Sequence, residues 1–301
     1  MNWAIVDAGS YTGIYERFSL FSDAGVVCAQ GAGLPHVLEV NAPLRQEAAK
    51  YRTLPHPDLA ATIEHDVLTG TGQVLAVSAE LAAFLIELGA PAERVSMLPN
   101  AVDPDAVVPR DSAREAGVVV AGFAGSLKAW HGIDTLVAAA RIALAEAAEL
   151  RIEIVGEGPC DHMFDESGIP RDRLVVHGSR SHGEVIELLT TWHIGLAPYH
   201  AQQTFYFSPL KVLEYMSAGL CSIASDVGQV PWLLDGGACG MLVPPGDADA
   251  LAAALVRATR DASLRTSMGS AARERAVADF SWRSNARRAI EALGRETAVQ
   301  S

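Results

Sequence analysis

The feature that most constrains this chain is a regular alternation. Short runs rich in valine and isoleucine take turns with longer stretches of helical period. Residues 35–40 (PHVLEV), 74–77, 95–98, 118–123, 152–155, 174–176, 194–197 and 222–224 are short and bounded by Gly, Pro, Ser or Asn, so each reads as a strand. Residues 134–150, 184–191, 209–217 and 249–259 read as helices between them, the first with Asp134 as an expected N-cap. Strand followed by helix, repeated, argues for parallel sheets with helices on both faces, an α/β class. No repeat or low-complexity tract interrupts the pattern.

A chain of 301 residues suits roughly two domains. Residues 103–117 (DPDAVVPRDSAREAG) carry Pro, Asp, Ser and Gly between two strand signals, as a linker would. The expected division is 1–106, 107–280 and a final amphipathic helix in 281–301. The middle part has five or six strands with matching helices, enough for a doubly wound domain. The first part holds four strands at most, and its opening MNWAIVDAGSYTGIYERF has no Gly-rich strand-to-helix turn.

The formal net charge is −13, which argues against broad binding to nucleic acid or anionic membranes. No apolar run approaches the ~20 residues that span a bilayer, and no secretory signal is visible. Cys28, Cys160, Cys221 and Cys239 form no CxxC pair and have no His at zinc spacing, so they read as reduced thiols of a cytoplasmic protein with no metal. Only three lysines, Lys50, Lys128 and Lys211, stand against 20 arginines. Two of the three fall in the motifs below.

Residues 122–132 (GFAGSLKAWHG) follow a strand and precede a helix. Such a turn lets backbone N–H groups approach an anion, aided by the helix dipole, with Lys128 and His131 as phosphate partners. A plain tight turn is the bland alternative. Residues 208–219 (SPLKVLEYMSAG) start a helix with Ser208 as N-cap and Pro209 as first helical residue. Lys211 in the first turn opposes the dipole unless an anion neutralises both. Glu214 lies on the same face and could accept from a ribose diol, or simply pair with Lys211 on the surface. VGEGP at 155–159 and HGSRS at 177–181 are further turns after strands. In a parallel sheet all these loops gather along one edge, where doubly wound folds bind ligands. His177, His182 and His193 read as structural, and the tryptophans as packing, with Trp130 open to either role.

The ordered set PNAVD (99–103), GFAGSLKAWHG, VGEGP, HGSRSHGEV, PY (198–199), SPLKVLEYMSAG and VPPGD (243–247) resembles the retaining GT-B glycosyltransferases of family GT4. The resemblance runs from about residue 15 to residue 293. It implies two Rossmann-like doubly wound domains, the first here incomplete, facing across a cleft, with the final helix crossing back. It implies sugar transfer with retention from a UDP- or GDP-sugar to an acceptor hydroxyl by a hexosyltransferase-type enzyme with no cofactor or metal. Lys211, Glu16 and Arg17 would be catalytic, and Glu39 and Asn41 acceptor-side. Gly125, Ser126, Lys128 and His131 would line the phosphates together with Ser208, Pro209, Leu210 and Lys211. Gly156, Glu157, Gly178, Ser179 and Arg180 would line the base and ribose, and Glu214 would hold the ribose hydroxyls.

Three departures stand out. The family's E-x7-E pair keeps its second glutamate as Glu214, but Tyr206 stands in place of the first. The family's usual Arg and Lys of the phosphate loop are Ser126 and His131. By the resemblance, roughly a hundred residues of a complete first domain are expected ahead of residue 15, and a misassigned start codon, a truncated gene or a partner that supplies them are the three explanations. The expectations are therefore a nucleotide-sugar donor, a sugar, lipid or metabolite acceptor, no nucleic acid and, on the last of these explanations, a partner protein supplying the missing N-terminal segment. The rival is a non-catalytic nucleotide-sugar-binding module or subunit. A Rossmann dehydrogenase would need G-x-G-x-x-G after the first strand, which is absent.

Overall fold

The computed structural model describes residues 11–109, 117–201 and 205–300. Most of the opening segment and residues 110–116 of the expected linker lie outside the described residues. Two compact units are present. Unit 1 comprises Met1–Asn100, Tyr206–Ser208 and Arg283–Ser301, and unit 2 comprises Ala101–Phe205 and Pro209–Trp282.

Unit 1 runs β1 (Ile14–Arg17), α1 (Ala24–Ala32), β2 (His36–Val40), α2 (Leu44–Tyr51), α3 (Pro57–Gly70), β3 (Gln73–Ala76), α4 (Ala79–Glu87) and β4 (Val95–Met97). Its sheet is parallel in the order β1-β2-β3-β4. Leu38, Val40, Val74 and Ala76 pack with Val67, Leu68, Leu81 and Leu85 into one core. Ser78 caps α4 by accepting from the Leu81 amide at 2.9 Å. Val37, Leu75 and Leu98 pack with Ala292 from the last helix of the chain.

Unit 2 runs β5 (Val119–Ala124), α5 (Ile133–Glu146), β6 (Leu150–Val155), α6 (His162–Asp165), β7 (Leu174–Val176), α7 (His182–Thr191), β8 (Ile194–Ala197), α8 (Leu210–Ser217), β9 (Cys221–Ser225), α9 (Val230–Leu233), β10 (Gly240–Val243), α10 (Ala248–Arg260) and α11 (Ala262–Asp279). The helix α12 (Trp282–Gln300) continues from it into unit 1. The sheet order is β10-β9-β8-β5-β6-β7, and every pairing is parallel. The order reverses between β8 and β5, so loops after β5 and β8 diverge there and leave a crevice. All six residues of β5 are buried, as a strand covered on both faces requires. The core joins Phe123, Ile133, Leu136, Ile152, Ile154, Ile194, Leu196 and Ile223 with Leu251 and Leu255 of α10. Burying each such side chain contributes about 1.5–3 kcal/mol.

Three local expectations are corrected. Gly132, not Asp134, caps α5; its φ of 64° turns the chain into the helix, and Asp134 instead meets His200 Nε2 at 2.6 Å. The cap of α8 is Pro209, without a side-chain hydrogen bond. Ser208 is drawn off it, because its hydroxyl accepts from the Asn100 amide at 3.1 Å and its carbonyl from Asn100 Nδ2 at 2.9 Å. Strands β1 and β10 carry no strong β-branched run, being IYER and GMLV. They are placed by pairing with β2 and β9.

Candidate functional site

The site forms at the C-terminal ends of β5, β6, β7 and β8 in unit 2. Chain geometry there is dictated by two glycines. Gly125 has φ 143° and Gly156 φ 138°, conformations that L side chains rarely adopt. A Cβ on Gly156 would stand 1.9 Å from the Gly125 carbonyl oxygen. The two loops therefore lie backbone to backbone. The Gly125 amide donates to Val155 O and the Gly156 amide to Gly178 O, each at 2.9 Å. Gly125, Gly156 and Gly178 thus form one line. Glu157 accepts from the Ser179 amide at 3.2 Å, which joins the VGEGP and HGSRS turns. Arg180 lies beside Glu184 at 4.0 Å, within the capping box Ser181–Glu184 that starts α7.

Lys211 stands at the Gly125 end of this line. It is 8% exposed, and its Nζ is buried without a hydrogen-bond partner. The ammonium sits 3.9 Å from the Phe123 ring centroid and 5.4 Å from that of Tyr199. A Cβ on Gly125 would come within 2.9 Å of it. Burial pushes its pKa down to about 7, with Glu214 acting in the opposite direction. No i, i+3 salt bridge forms between them; Glu214 Oε1 instead lies 3.9 Å from His182 Nδ1. Burial raises the Glu214 carboxyl, and His182 and Lys211 partly offset this.

The loop 125–132 adds His131 to the surroundings of Lys211. His131 packs edge-on to Phe123 and Tyr199, and its Nδ1 bonds to Ser126 O. Burial first and then Lys211 push its pKa down to about 4, so it is a neutral imidazole at neutral pH. Lys128 points away from that interior, 4.7 Å over the half-exposed ring of Trp130. Leu210 is exposed. Ser208, although adjacent in sequence to Pro209, is held in unit 1 by Asn100.

Glu16 and Arg17 lie on β1 of unit 1. Glu16 bonds to His36 Nε2 at 3.1 Å, and His36 Nδ1 bonds to Thr71 at 2.7 Å. Arg17 is exposed. Glu39 accepts from Tyr15 and, at 2.6 Å, from Asn41 Nδ2. Tyr206 donates to Glu47. Burial, followed by the bond to its carboxylate, raises the pKa of each tyrosine, so both remain phenols.

His177 bonds to the buried Glu153 at 3.0 Å, alongside Trp192 Nε1 at 3.1 Å, and His193 accepts from the Val120 amide. These are structural roles. Among the described residues no cluster of His, Cys, Asp or Glu could hold a metal ion, and all four cysteines are free. No helix among them is long and apolar enough to cross a membrane. The motifs alone do not mark the aromatic walls around Lys211, because Phe123 lies near the end of β5 and Tyr199 two residues beyond β8, and only the fold brings them together.

Comparison with known proteins covers the same region. Residues 118–261 match the family model described as glycosyl transferases group 1. The chain is 26% identical over 315 residues to a D-inositol 3-phosphate glycosyltransferase of Kribbella flavida, covering 96% of this chain and 72% of that protein. It is 30% identical over 151 residues to a phosphatidyl-myo-inositol mannosyltransferase of Mycolicibacterium smegmatis, covering 50% and 38%. Among solved structures it resembles the Anabaena protein HepE in complex with UDP, with a TM-score of 0.72 at 19% identity over 90% of this chain and 75% of that one. It also resembles sucrose-phosphate synthase from Thermosynechococcus elongatus, with a TM-score of 0.73 at 21% identity over 97% and 75%. Residues 118–261 are thus similar to the glycosyl transferases of group 1, and the fold of the chain is the GT-B fold with its two Rossmann-like units.

Proposed function

We propose that this chain transfers a sugar, with retention of configuration, from a nucleoside diphosphate sugar to an acceptor hydroxyl, as a GT4-type enzyme. The observation that carries the reading is the Lys211 ammonium, buried and without a hydrogen-bond partner between the ends of β5 and β8. A buried ammonium of this kind is unfavourable unless an anion offsets its desolvation. A diphosphate would supply that anion. Its negative charge grows as the bond to the sugar breaks. Lys211 and the N-terminus of α8 are fixed beforehand to meet that charge.

On this reading Glu214 accepts hydrogen bonds from the ribose diol. Gly156, Glu157, Gly178, Ser179 and Arg180 line the base and ribose. Ser126, Lys128, His131, Pro209 and Leu210 flank the diphosphate, with His131 a neutral ring whose one N–H is given to the Ser126 carbonyl. UDP is the first donor nucleotide to test and GDP the second, because a structural neighbour is a UDP complex and a relative is named for mannosyl transfer. Inositol phosphates are the first acceptors to test, after the inositol-directed names of two relatives. Unit 1, with Glu16, Arg17, Glu39 and Asn41, is the acceptor side of the proposal.

The test is release of nucleoside diphosphate from UDP- and GDP-sugars in the presence of inositol phosphates and simple sugars, with NMR of the product anomer. Retained configuration and loss of turnover in Lys211→Ala, with the fold intact, are expected. Unchanged turnover in Lys211→Ala would refute the assignment.

A further inference from the structure

Strands β5 and β8 pair only at Ala121↔Ile194 and Gly122↔Gly195, although β5 runs on to Ala124 and β8 to Ala197. On its other side β5 stays paired with β6 as far as Ala124↔Val155. The C-terminal ends of β5 and β8 therefore part while the rest of the sheet holds. This is the point where strand order reverses.

Two backbone groups face the parting. The Ala124 amide and the Leu196 carbonyl would each need a partner in so buried a place. Both find the same one. The Tyr215 hydroxyl accepts from the Ala124 amide at 2.9 Å and donates to Leu196 O at 3.2 Å. Its ring reaches this position because Gly195 in the last rung has no side chain, while Gly122 opposite makes the same room for Trp192. A Cβ on Gly195 would stand 2.4 Å from the Tyr215 ring, and one on Gly122 would stand 2.1 Å from Trp192. Burial raises the Tyr215 pKa well above its ordinary value, so the hydroxyl keeps the proton it donates.

Lys211 precedes Tyr215 by four residues on α8, so the two share a helix face one turn apart. Its ammonium lies over Phe123, the residue before Ala124, and near Tyr199, two residues beyond Ala197. One helix face thus addresses both strand ends, Tyr215 between them and Lys211 beyond.

We propose that the Tyr215 hydroxyl is a wedge that holds the ends of β5 and β8 apart and so positions Lys211 in the nucleotide-binding crevice. Tyr215 is a positioning residue, and the proposal rests on the reading of Lys211 as the diphosphate partner. Without the hydroxyl, the Ala124 amide and Leu196 carbonyl are left to pair with each other. The strands then close by a further rung, and the crevice narrows beneath Lys211.

The test compares the full-length wild type with Tyr215→Phe by calorimetric titration of UDP and GDP from pH 6 to 9, with urea unfolding alongside. A merely structural hydroxyl would lower stability and leave binding by the folded fraction unchanged. The wedge predicts affinity reduced about tenfold, the size of one well-placed contact, and a displaced pH midpoint of binding, because the surroundings of Lys211 change. Wild-type affinity with a wild-type midpoint in Tyr215→Phe would overturn it. Failure of the wild type to bind any nucleoside diphosphate would overturn the nucleotide reading and with it this role. Should Tyr215→Phe not fold, hydrogen exchange of the wild-type Ala124 amide decides. Protection equal to that of laddered strand amides supports the wedge, and fast exchange overturns it.

Discussion

Replacing Lys211 by Met is expected to stabilise the ligand-free protein while abolishing its tight binding of nucleoside diphosphates. The stability arm follows from linkage. Lys211 titrates at about 7 in the folded chain, against 10.5 in the open. Between those values the unfolded chain holds a proton that the folded chain has released, so stability rises with pH across the interval. Below pH 7 both states are protonated, and the whole displacement opposes folding. At about 1.4 kcal/mol per pH unit it amounts to no more than about 5 kcal/mol. By pH 9 more than half of the interval is passed, and about 2 kcal/mol of opposition is left. Methionine fills a similar volume and carries no charge to desolvate. Lys211→Met is therefore expected to exceed the wild type by about 2–5 kcal/mol at pH 6, and by about 2–3 kcal/mol less at pH 9. Urea unfolding followed by tryptophan fluorescence measures this, since Trp130, Trp192, Trp232 and Trp282 all belong to unit 2. A variant less stable than the wild type at pH 6, or a difference that is flat with pH, would refute the reasoning.

The remaining predictions concern the same loops. Diphosphate binding should draw about one proton onto the protein at pH 8, because an anion restores the charge of Lys211; calorimetry in buffers of differing ionisation heat reads it, and zero uptake contradicts it. Glu214→Gln should weaken nucleotide binding about tenfold by losing a charge-assisted acceptor, without loss of ligand-free stability at pH 7, because burial already disfavours the carboxylate; titration and urea unfolding check the two halves. Gly156→Ala should cost more than about 2 kcal/mol and the nucleotide site together, since its Cβ would meet the Gly125 carbonyl at 1.9 Å; a stable, binding variant would contradict the loop geometry.

Much of this was legible in the sequence, for identifiable reasons. The strands of unit 2 announced themselves because a parallel sheet covered on both faces leaves continuous apolar runs, as in β5 and β8. Strands β1 and β10 did not, because IYER and GMLV become strands only through a neighbour. Lys211 could be singled out from its conflict with the helix dipole. Its burial against Phe123 and Tyr199 could not, since that depends on where two strands end. The capping role read into Ser208 failed because Asn100, 108 residues away, claims its hydroxyl. The Tyr206–Glu47 bond spans 159 residues and left no local trace. Local chemistry was readable, and competition from distant partners was not. The spacing of Lys211 and Tyr215 was visible throughout. Its meaning required the parting of β5 from β8, which no periodicity encodes.

The measurement that tests the central claim most directly is the thermal stability of the wild type and of Lys211→Met, each alone and with UDP, GDP, ADP or TDP. A ligand that binds only the folded state adds about 2.7 kcal/mol at a hundred times its dissociation constant. The account predicts a clear upward shift of the wild type with one of these nucleotides, UDP tried first. It predicts a Lys211→Met protein that starts higher and does not shift. A wild type that ignores every nucleotide, or a Lys211→Met protein that shifts as far as the wild type, would contradict it.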